Sequence, residues 1–298
     1  MTTRLTLAFS FGLVIAPLLT AQGGRGITAH NPANDGKPFE PHDLSGIWSR
    51  NSTPGGYGGG GTCRDCGDRG FSNDVPPLTP LGQKMFDANK PSYGRNLGTP
   101  DAAAHPEEAI GRRRSVPPAN GTDPYQYCNP EGVTRALIYP DPVEFLVLPD
   151  RIVQHFEWTY QARTIWTDGR KLIDDPDQFR WWGYSTAHWE GDTLVVNSNG
   201  FDERTWVDHF GYPHSTDMKL EERYRRTAYD VLELTMTIND PKVYTKPWVS
   251  QPKKFRKIGK DQIKTVDGWT GLMEDACAPA DNETFNSRVR DPAGGVVH

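Results

Sequence analysis

Residues 217–238 read DMKLEERYRRTAYDVLELTMTI and contain two strand-like segments joined by a tight turn. From Val231 to Ile238, apolar residues alternate with polar ones, which is the pattern of a β-strand with one buried and one solvated face. The turn at Tyr229 and Asp230 makes the two strands antiparallel neighbours, because a parallel crossover needs about a dozen residues or more. This stretch therefore predicts an antiparallel β-hairpin.

Further segments of the second half of the chain are rich in β-branched and aromatic residues and are separated by short turn signals. With the hairpin, they predict a mainly β fold, an antiparallel meander barrel or strongly curled sheet, since curling limits exposed strand edges. We place this barrel-like domain at residues 130–265. The further segments are Val143–Leu148, Arg151–Trp158, Ala162–Trp166, Tyr184–Glu190 and Asp192–Asn199.

The first residues indicate an exported protein. Residues 1–21 combine one basic residue, Arg4, with a short apolar run and small residues up to Ala21, as in a cleaved secretory signal peptide. The alternative is a membrane anchor, but the run is shorter than the roughly 20 apolar residues of a bilayer span. We therefore predict a periplasmic or extracellular protein without membrane insertion after cleavage.

The regions on either side of the barrel are less regular. Residues 22–129 are rich in glycine and proline, which predicts a loop-rich N-terminal half packed over the barrel. Two elements stand out in it. One is a short strand at Asp43–Trp48. The other is a short helix with Thr79 as its N-cap and Pro80 at its first position, which leads into Gln83–Ala88. Residues 266–298 form a C-terminal tail that we expect to pack on the barrel.

The formal charge limits the class of partner. The chain has a net charge of −5, and this mild acidity argues against nucleic acid as the main partner. A small-molecule ligand or substrate is expected instead. The sequence predicts no oligomeric state.

The four cysteines favour disulfides, because the chain is predicted to be exported. Three pairings exist, and the preferred one joins Cys63 to Cys66 and Cys128 to Cys277. The Cys-x-x-Cys spacing of the first pair is also typical of metal binding or thiol redox chemistry. A zinc site would need a second pair of ligands at suitable spacing, and none is evident. A thioredoxin-like motif would need a strand-to-helix junction, whereas Cys63 follows a run of glycines.

Most tryptophans lie between Trp158 and Trp206, interleaved with ionisable groups. Such a density predicts a cavity lining or a specific polar core, because charges are costly to bury unless they are paired. In the strand Asp217–Thr227, Glu222 and Arg226 share a face with apolar residues, and buried charges persist only when they are paired or used. The ligand-binding candidates are Trp182, Ser185, His188, Trp206, Tyr224 and Arg226.

A long polar loop, residues 200–215, provides candidate acid/base groups. A carboxylate such as Asp208 can orient the imidazole of His214, which can then take a proton from Ser215 or from water. Glu222 is the third candidate of this catalytic set. A structural network that joins the loop to the barrel is the alternative for each of these residues.

No cofactor is predicted, and a metal ion remains an alternative. His209 and His214 are five residues apart rather than at the helical spacing of the strong zinc motifs, with Asp202, Asp208 and Glu222 as further ligands. The glycine run before Cys63 lacks the Lys-Ser/Thr ending of a phosphate-binding loop, and the chain has no Cys-x-x-Cys-His haem motif.

Six longer motifs occur in order along the chain. They are CNPEGV (128–133), IWTDGR (165–170), GYSTAHWEGDTLVV (183–196), PHS (213–215), ERYRR (222–226) and DPKVYTKPW (240–248). Together they resemble a family of uncharacterised exported bacterial proteins, abundant in acidobacteria and some proteobacteria, over residues 43–248. The resemblance implies a bacterial periplasmic or extracellular setting, and it brings no activity or catalytic residues.

The segment LSGIW (44–48) is similar to the Gly-x-Trp first strand of lipocalin-type barrels, which implies a calycin-like barrel. These observations predict an exported protein that binds a small or medium organic molecule in an aromatic, polar-lined barrel cavity. The first alternative is an extracytoplasmic hydrolase, lyase or isomerase that uses the His and carboxylate groups in that cavity. The second is a surface-assembly or structural protein, in which the glycine-rich arm is the contact element.

Overall fold

The structure is a computed structural model that describes residues 32–50, 70–72, 74–89, 123–139, 141–259, 271–272, 274 and 276–290. The predicted signal peptide, residues 1–21, lies outside the described residues, as do Cys63, Cys66 and the glycine run before them. Strands make up most of the regular structure, so the prediction of a mainly β fold is confirmed.

Nine strands form a closed β-barrel. They follow one another around the ring in chain order from β1 to β8, and the last strand, β10, pairs with both β8 and β1 and so closes the barrel. The short strand β9 pairs with β8 as well. The strands are β1 Gly46–Arg50, β2 Val143–Val147, β3 Arg151–Phe156, β4 Gln161–Trp166, β5 Tyr184–Glu190, β6 Thr193–Asn199, β7 Lys219–Ala228, β8 Val231–Asn239, β9 Trp248–Val249 and β10 Lys253–Ile258.

One pair in the ring is parallel, although the sequence predicts an antiparallel meander throughout. A closed ring with an odd number of strands cannot alternate in direction everywhere, so one neighbouring pair must run the same way. That pair is β4 and β5, which share the single register position Trp166–Thr186. The connection between them, residues 167–183, is long enough to return the chain to the starting end, as a parallel crossover requires.

The N-terminal half contributes one strand to the barrel, which therefore extends beyond the predicted range of residues 130–265. β1 lies between β10 and β2, with Ile47 opposite Ile258 on one side and Glu144 on the other. The predicted strand thus exists but begins at Gly46. The sequence analysis did not assign β10, the strand that β1 needs as its neighbour.

The described residues include three short α-helices: α1 Pro80–Ala88, α2 Val133–Ile138 and α3 Pro279–Phe285. The prediction of α1 is confirmed, since the Thr79 hydroxyl accepts a hydrogen bond from the Gly82 backbone N–H at 3.0 Å. A Cβ atom at Gly82 would lie 2.3 Å from the Val243 carbonyl oxygen, so only glycine allows this close approach. None of the helices in the described ranges combines the length and the apolar character needed to cross a bilayer.

A disulfide joins Cys128 to Cys277, with the two Cα atoms 5.4 Å apart, which confirms this part of the predicted pairing. Cys128 ends a 3₁₀ turn at Pro124–Tyr127, and α3 lies against the same turn. The C-terminal segment is therefore held beside the segment that precedes α2.

The alternation in β7 and β8 identifies the buried faces correctly. Leu232, Leu234, Met236 and Ile238 are fully buried, and the β7 face that carries Glu222 and Arg226 is also buried. In β3, the buried face carries Ile152, Gln154 and Phe156. Charged and amide groups thus point into the barrel, so their partners decide what the interior can do.

Candidate functional site

A cleft of about 540 Å³ lies where the barrel wall is weakest, at the junction of β4 and β5. Residues 167–183, which connect the two strands, form much of its lining. Five lining residues are aromatic and four are cationic, and none is acidic. The aromatic residues are Trp166, Phe179, Trp181, Trp182 and Tyr184, and the cationic ones are Arg163, Arg170, Lys171 and Arg180.

The far end of the connection is tied to the loop after β6. The Arg180 backbone N–H donates to the Gly200 carbonyl at 2.9 Å, and the Asp202 N–H donates to the Arg180 carbonyl at 3.0 Å. Gly183 has a φ of +60°, and a Cβ there would lie 2.6 Å from the Asn199 carbonyl oxygen. The aromatic residues on this segment are therefore carried on backbone that is hydrogen-bonded and closely packed at both Arg180 and Gly183.

Trp182 is oriented before any ligand arrives. Its ring stacks on Phe156, with centroids 4.9 Å apart and planes at 15°, and its indole N–H donates to the Gln161 side-chain oxygen at 2.6 Å. One face of the indole and its N–H are therefore both held, which fixes the orientation of the ring.

Three other aromatic rings of the cleft lining each contact an arginine side chain. The Arg170 guanidinium lies 3.6 Å from the Trp166 ring centroid, and Arg180 lies 4.4 Å from that of Tyr184. Arg204, from the loop after β6, lies 4.2 Å from the Trp181 centroid. Contacts of this length attract each cation to the ring face.

Arg163 and Ser185 belong both to the cleft lining and to a buried network in the barrel. The guanidinium of Arg163 donates to the two carboxylate oxygens of Glu222 at 2.7 and 3.0 Å. It also donates to the hydroxyls of Ser185 and Ser198, both at 2.8 Å. Burial by itself lowers the pKa of Arg163, but the adjacent carboxylate of Glu222 outweighs this and raises it.

Gln154 and Tyr224 complete the network. The Gln154 amide donates to the Tyr224 hydroxyl at 2.9 Å, and that hydroxyl donates to Glu222 at 2.8 Å. None of the six side chains is more than 3% exposed. Glu222, a predicted acid/base group, is therefore held in a satisfied polar core, as a buried charge requires.

The six predicted ligand-binding residues are divided among several places. Trp182 and Ser185 line the cleft, and Tyr224 is fully buried in the network that Ser185 joins. His188 is exposed on β5, with its imidazole 3.2 Å from Glu190. The remaining two, Trp206 and Arg226, are buried away from the cleft lining.

Arg226 packs against Trp48 of the Gly-x-Trp segment. Its guanidinium donates to the carbonyl oxygens of Asp43 and Tyr229, both at 2.6 Å, and lies 5.6 Å from the Trp48 ring centroid. Burial lowers its pKa. These contacts tie the chain before β1 to the end of β7, which is a structural role.

Two other predicted catalytic residues occupy separate positions in the loop between β6 and β7. Asp208 accepts hydrogen bonds from the backbone N–H groups of Phe71 and Phe210, and burial raises its pKa to about 6. His214 contacts the Thr205 hydroxyl at 2.6 Å and the Ser215 carbonyl at 3.0 Å. Burial lowers its pKa. Its Nδ1–H donates to the Ser215 carbonyl, because a carbonyl oxygen can only accept.

Asp208, His214 and Ser215 do not form the chain of carboxylate, imidazole and hydroxyl that the catalytic hypothesis requires. The Ser215 hydroxyl donates to Asp240 at 2.8 Å rather than to His214. Within the described ranges, no hydrogen bond or ion pair joins any two of Asp208, His214 and Glu222. In that same part of the chain, no three or more His, Cys, Asp or Glu side chains are grouped to hold a metal ion.

A second buried cluster, centred on Arg135, was missed by the sequence analysis. Its guanidinium donates to both carboxylate oxygens of Asp123 at 2.7 and 2.9 Å and lies 3.7 Å from Glu131. Arg135 also donates to the Tyr139 hydroxyl at 3.0 Å. The one sequence signal for this cluster was the CNPEGV motif, which contains Glu131 but not its partners.

Glu131 gives the fold a distinct pH dependence. Burial raises its pKa from 4.5 to about 7, although Arg135 opposes this. Between these values the folded chain keeps a proton that the unfolded chain has lost, so the free energy of unfolding falls as the pH rises from 4.5 to 7. For Glu131→Gln we expect a free energy of unfolding about 3 kcal/mol above the parent at pH 8 and no difference at pH 4.

Urea unfolding of both proteins at a series of pH values between 4 and 8 measures this effect. The half-buried Glu233, which lies 3.6 Å from Lys254, provides the control Glu233→Gln, for which we expect the parent's pH profile. Parallel profiles for Glu131→Gln and the parent would show that Glu131 titrates alike in the folded and unfolded chains.

Comparisons of the chain with protein-family models, with curated proteins and with solved structures give no match. The cleft, the Arg163–Glu222 network and the Arg135 cluster are therefore interpreted from their geometry. Of the three, only the cleft combines open space with ordered side chains. It is the candidate functional site.

Proposed function

We propose that this chain is an exported bacterial protein that binds a small or medium-sized organic molecule in the cleft between β4 and β5. The observation that carries the proposal is the cleft itself, whose volume of about 540 Å³ falls within the range of roughly 300–1,000 Å³ typical of ligand sites. Its walls hold an aromatic ring, Trp182, already fixed by Phe156 and Gln161. A preordered aromatic wall favours binding of a flat apolar body.

The extracytoplasmic part of the proposal has separate support. Residues 1–21 have the composition of a signal peptide, and the motifs resemble an exported bacterial family. The Cys128–Cys277 disulfide is of a kind that persists mainly in oxidising compartments. The periplasm or the medium provides such conditions.

The acid/base alternative gains no such support from the geometry. Its three groups, Asp208, His214 and Glu222, each have other hydrogen-bond partners. None of the three is among the residues that line the cleft. Binding is accordingly the function that the site supports best.

Filling the cleft tests the proposal. Ala162 is exposed and lines the cleft, so Ala162→Trp adds a bulky ring there without removing a packed side chain. With the fluorescent probe N-phenyl-1-naphthylamine, we expect the dissociation constant of this variant to rise at least about tenfold. The measurement is a titration followed by probe fluorescence, with circular dichroism to verify the fold.

Thr227→Trp is the matched control, because Thr227 is exposed on β7 and outside the cleft lining. It adds the same ring to the surface and should bind the probe as the parent does. Equal dissociation constants for the parent and both variants would place the probe elsewhere and refute binding in this cleft.

A further inference from the structure

The charge of the cleft lining specifies the class of ligand. We infer that the cleft binds a small aromatic or flat organic anion, with Lys171 and Arg180 as the groups that receive its carboxylate or similar oxyanion. This inference rests on the proposed function, which concerns the same cleft. It starts from the asymmetry of the lining, which contains four cationic residues and no acidic one, in a chain whose formal net charge is −5.

Two of the four cations are already neutralised. Arg163 is paired with Glu222 at 2.7 Å, and Arg170 with Asp168 at 2.6 Å. A charge that is bound in this way contributes little net attraction to a ligand. These two residues shape the cleft, and the selection of an anion depends on the other two.

Lys171 and Arg180 have no such partner. Among the ion pairs of the described residues, neither side chain contacts a carboxylate, and both are exposed at the cleft. The Arg180 guanidinium lies over the Tyr184 ring, 4.4 Å from its centroid. A guanidinium over a ring keeps its N–H edge available, and that edge matches a carboxylate with two parallel hydrogen bonds.

Three aspartates of the connection between β4 and β5 lie outside the cleft and partly offset the positive charge of Lys171 and Arg180. Asp174, Asp175 and Asp177 are exposed, and none of them lines the cleft. None forms an ion pair with Lys171 or Arg180 in the described part of the chain. Solvent and salt screen these outer charges strongly. The charged residues that line the cleft itself are all cationic.

The aromatic walls and the two cations together define the ligand. A planar apolar body packs on Trp182, while an anionic group at one end reaches Lys171 or Arg180. Hydrophobic contact alone does not distinguish a neutral molecule from an anion, but an unpaired ammonium and an unpaired guanidinium do. Aromatic acids fit this description.

Two probes that differ by a single charged group test the inference. 8-Anilinonaphthalene-1-sulfonate and N-phenyl-1-naphthylamine share one aromatic body, and only the first carries an anionic sulfonate. We expect the parent protein to bind the sulfonate at least about tenfold more tightly. For the double variant Lys171→Gln/Arg180→Gln, we expect sulfonate binding to weaken about tenfold and binding of the neutral probe to stay within about twofold.

Lys219→Gln/Arg225→Gln is the matched control, since it removes one lysine and one arginine that are exposed on β7, away from the cleft. It should bind both probes as the parent does. Raising the salt concentration from 20 to 300 mM should weaken sulfonate binding by the parent and leave that of the Lys171→Gln/Arg180→Gln variant almost unchanged.

The outcomes separate the two proposals. If both probes bind the parent equally, or if the Lys171→Gln/Arg180→Gln variant loses no preference for the sulfonate, the inference of an anionic ligand is wrong and cleft binding stands. If Ala162→Trp leaves the binding of both probes unchanged, the proposed function itself fails.

Discussion

Replacement of Arg163 by methionine is expected to lower the free energy of unfolding by about 3–5 kcal/mol. The substitution keeps most of the side-chain volume but leaves the Glu222 carboxylate, which is 0% exposed, without its cation. The hydroxyls of Ser185 and Ser198 lose a donor at the same time. Urea unfolding followed by circular dichroism measures the loss.

Two further variants test whether the loss comes from the buried ion pair: a substitution of a partly exposed arginine and a double substitution of the pair. Arg223→Met removes an arginine whose ion pair with Glu190 is largely exposed, and we expect it to cost no more than about 1 kcal/mol. Adding Glu222→Gln to Arg163→Met removes the unpaired buried charge. We expect the free energy of unfolding to recover by about 0.5–3 kcal/mol, the coupling energy typical of residues in contact. A cost for Arg163→Met as small as that for Arg223→Met would contradict the conclusion that Arg163 neutralises a buried Glu222 carboxylate.

Loss of the Cys128–Cys277 disulfide is the second large effect. The bond joins residues 149 positions apart, so its removal releases a long loop in the unfolded chain. For Cys128→Ser/Cys277→Ser, chain entropy gives an expected loss of about 5 kcal/mol as an upper value. Urea unfolding under non-reducing conditions, compared with the parent, measures it.

The other two cysteines provide the control for this experiment. Cys63→Ser/Cys66→Ser opens at most a very short loop, for which the same relation gives only about 2 kcal/mol. Adding a reductant should bring the parent close to the Cys128→Ser/Cys277→Ser variant. Equal urea midpoints for the parent and that variant would show that the long-range bond does not stabilise the fold.

The strands could largely be predicted from the sequence, because alternation is a local property of the pleated backbone. Leu232 to Ile238 alternate with polar residues and are buried as expected, and the same reasoning placed Glu222 inside. Arg163 carried an equivalent signal, since it shares a face with Ile165 in β4. Burial of Arg163 was nevertheless not predicted.

The sequence located the candidate site only by region. The density of tryptophan between Trp158 and Trp206 predicts a cavity lining or a specific polar core, and Trp182 and Ser185 do line the cleft. His188 and Trp206 carried the same compositional signal but lie elsewhere. Arg180 and Lys171 belong to an irregular connection, where no periodicity shows which way a side chain points.

By itself, then, the sequence determined the strand type, the turns that join neighbours and the faces that become buried, since each depends on residues close together in the chain. The tertiary structure alone decided how the barrel closes. That closure pairs β1 with β10, about 200 residues apart in the chain, and makes β4 and β5 the one parallel and nearly unpaired junction. Strands in an odd ring cannot all alternate in direction, and the cleft lies at the one parallel pair. No local pattern in the sequence contains that constraint.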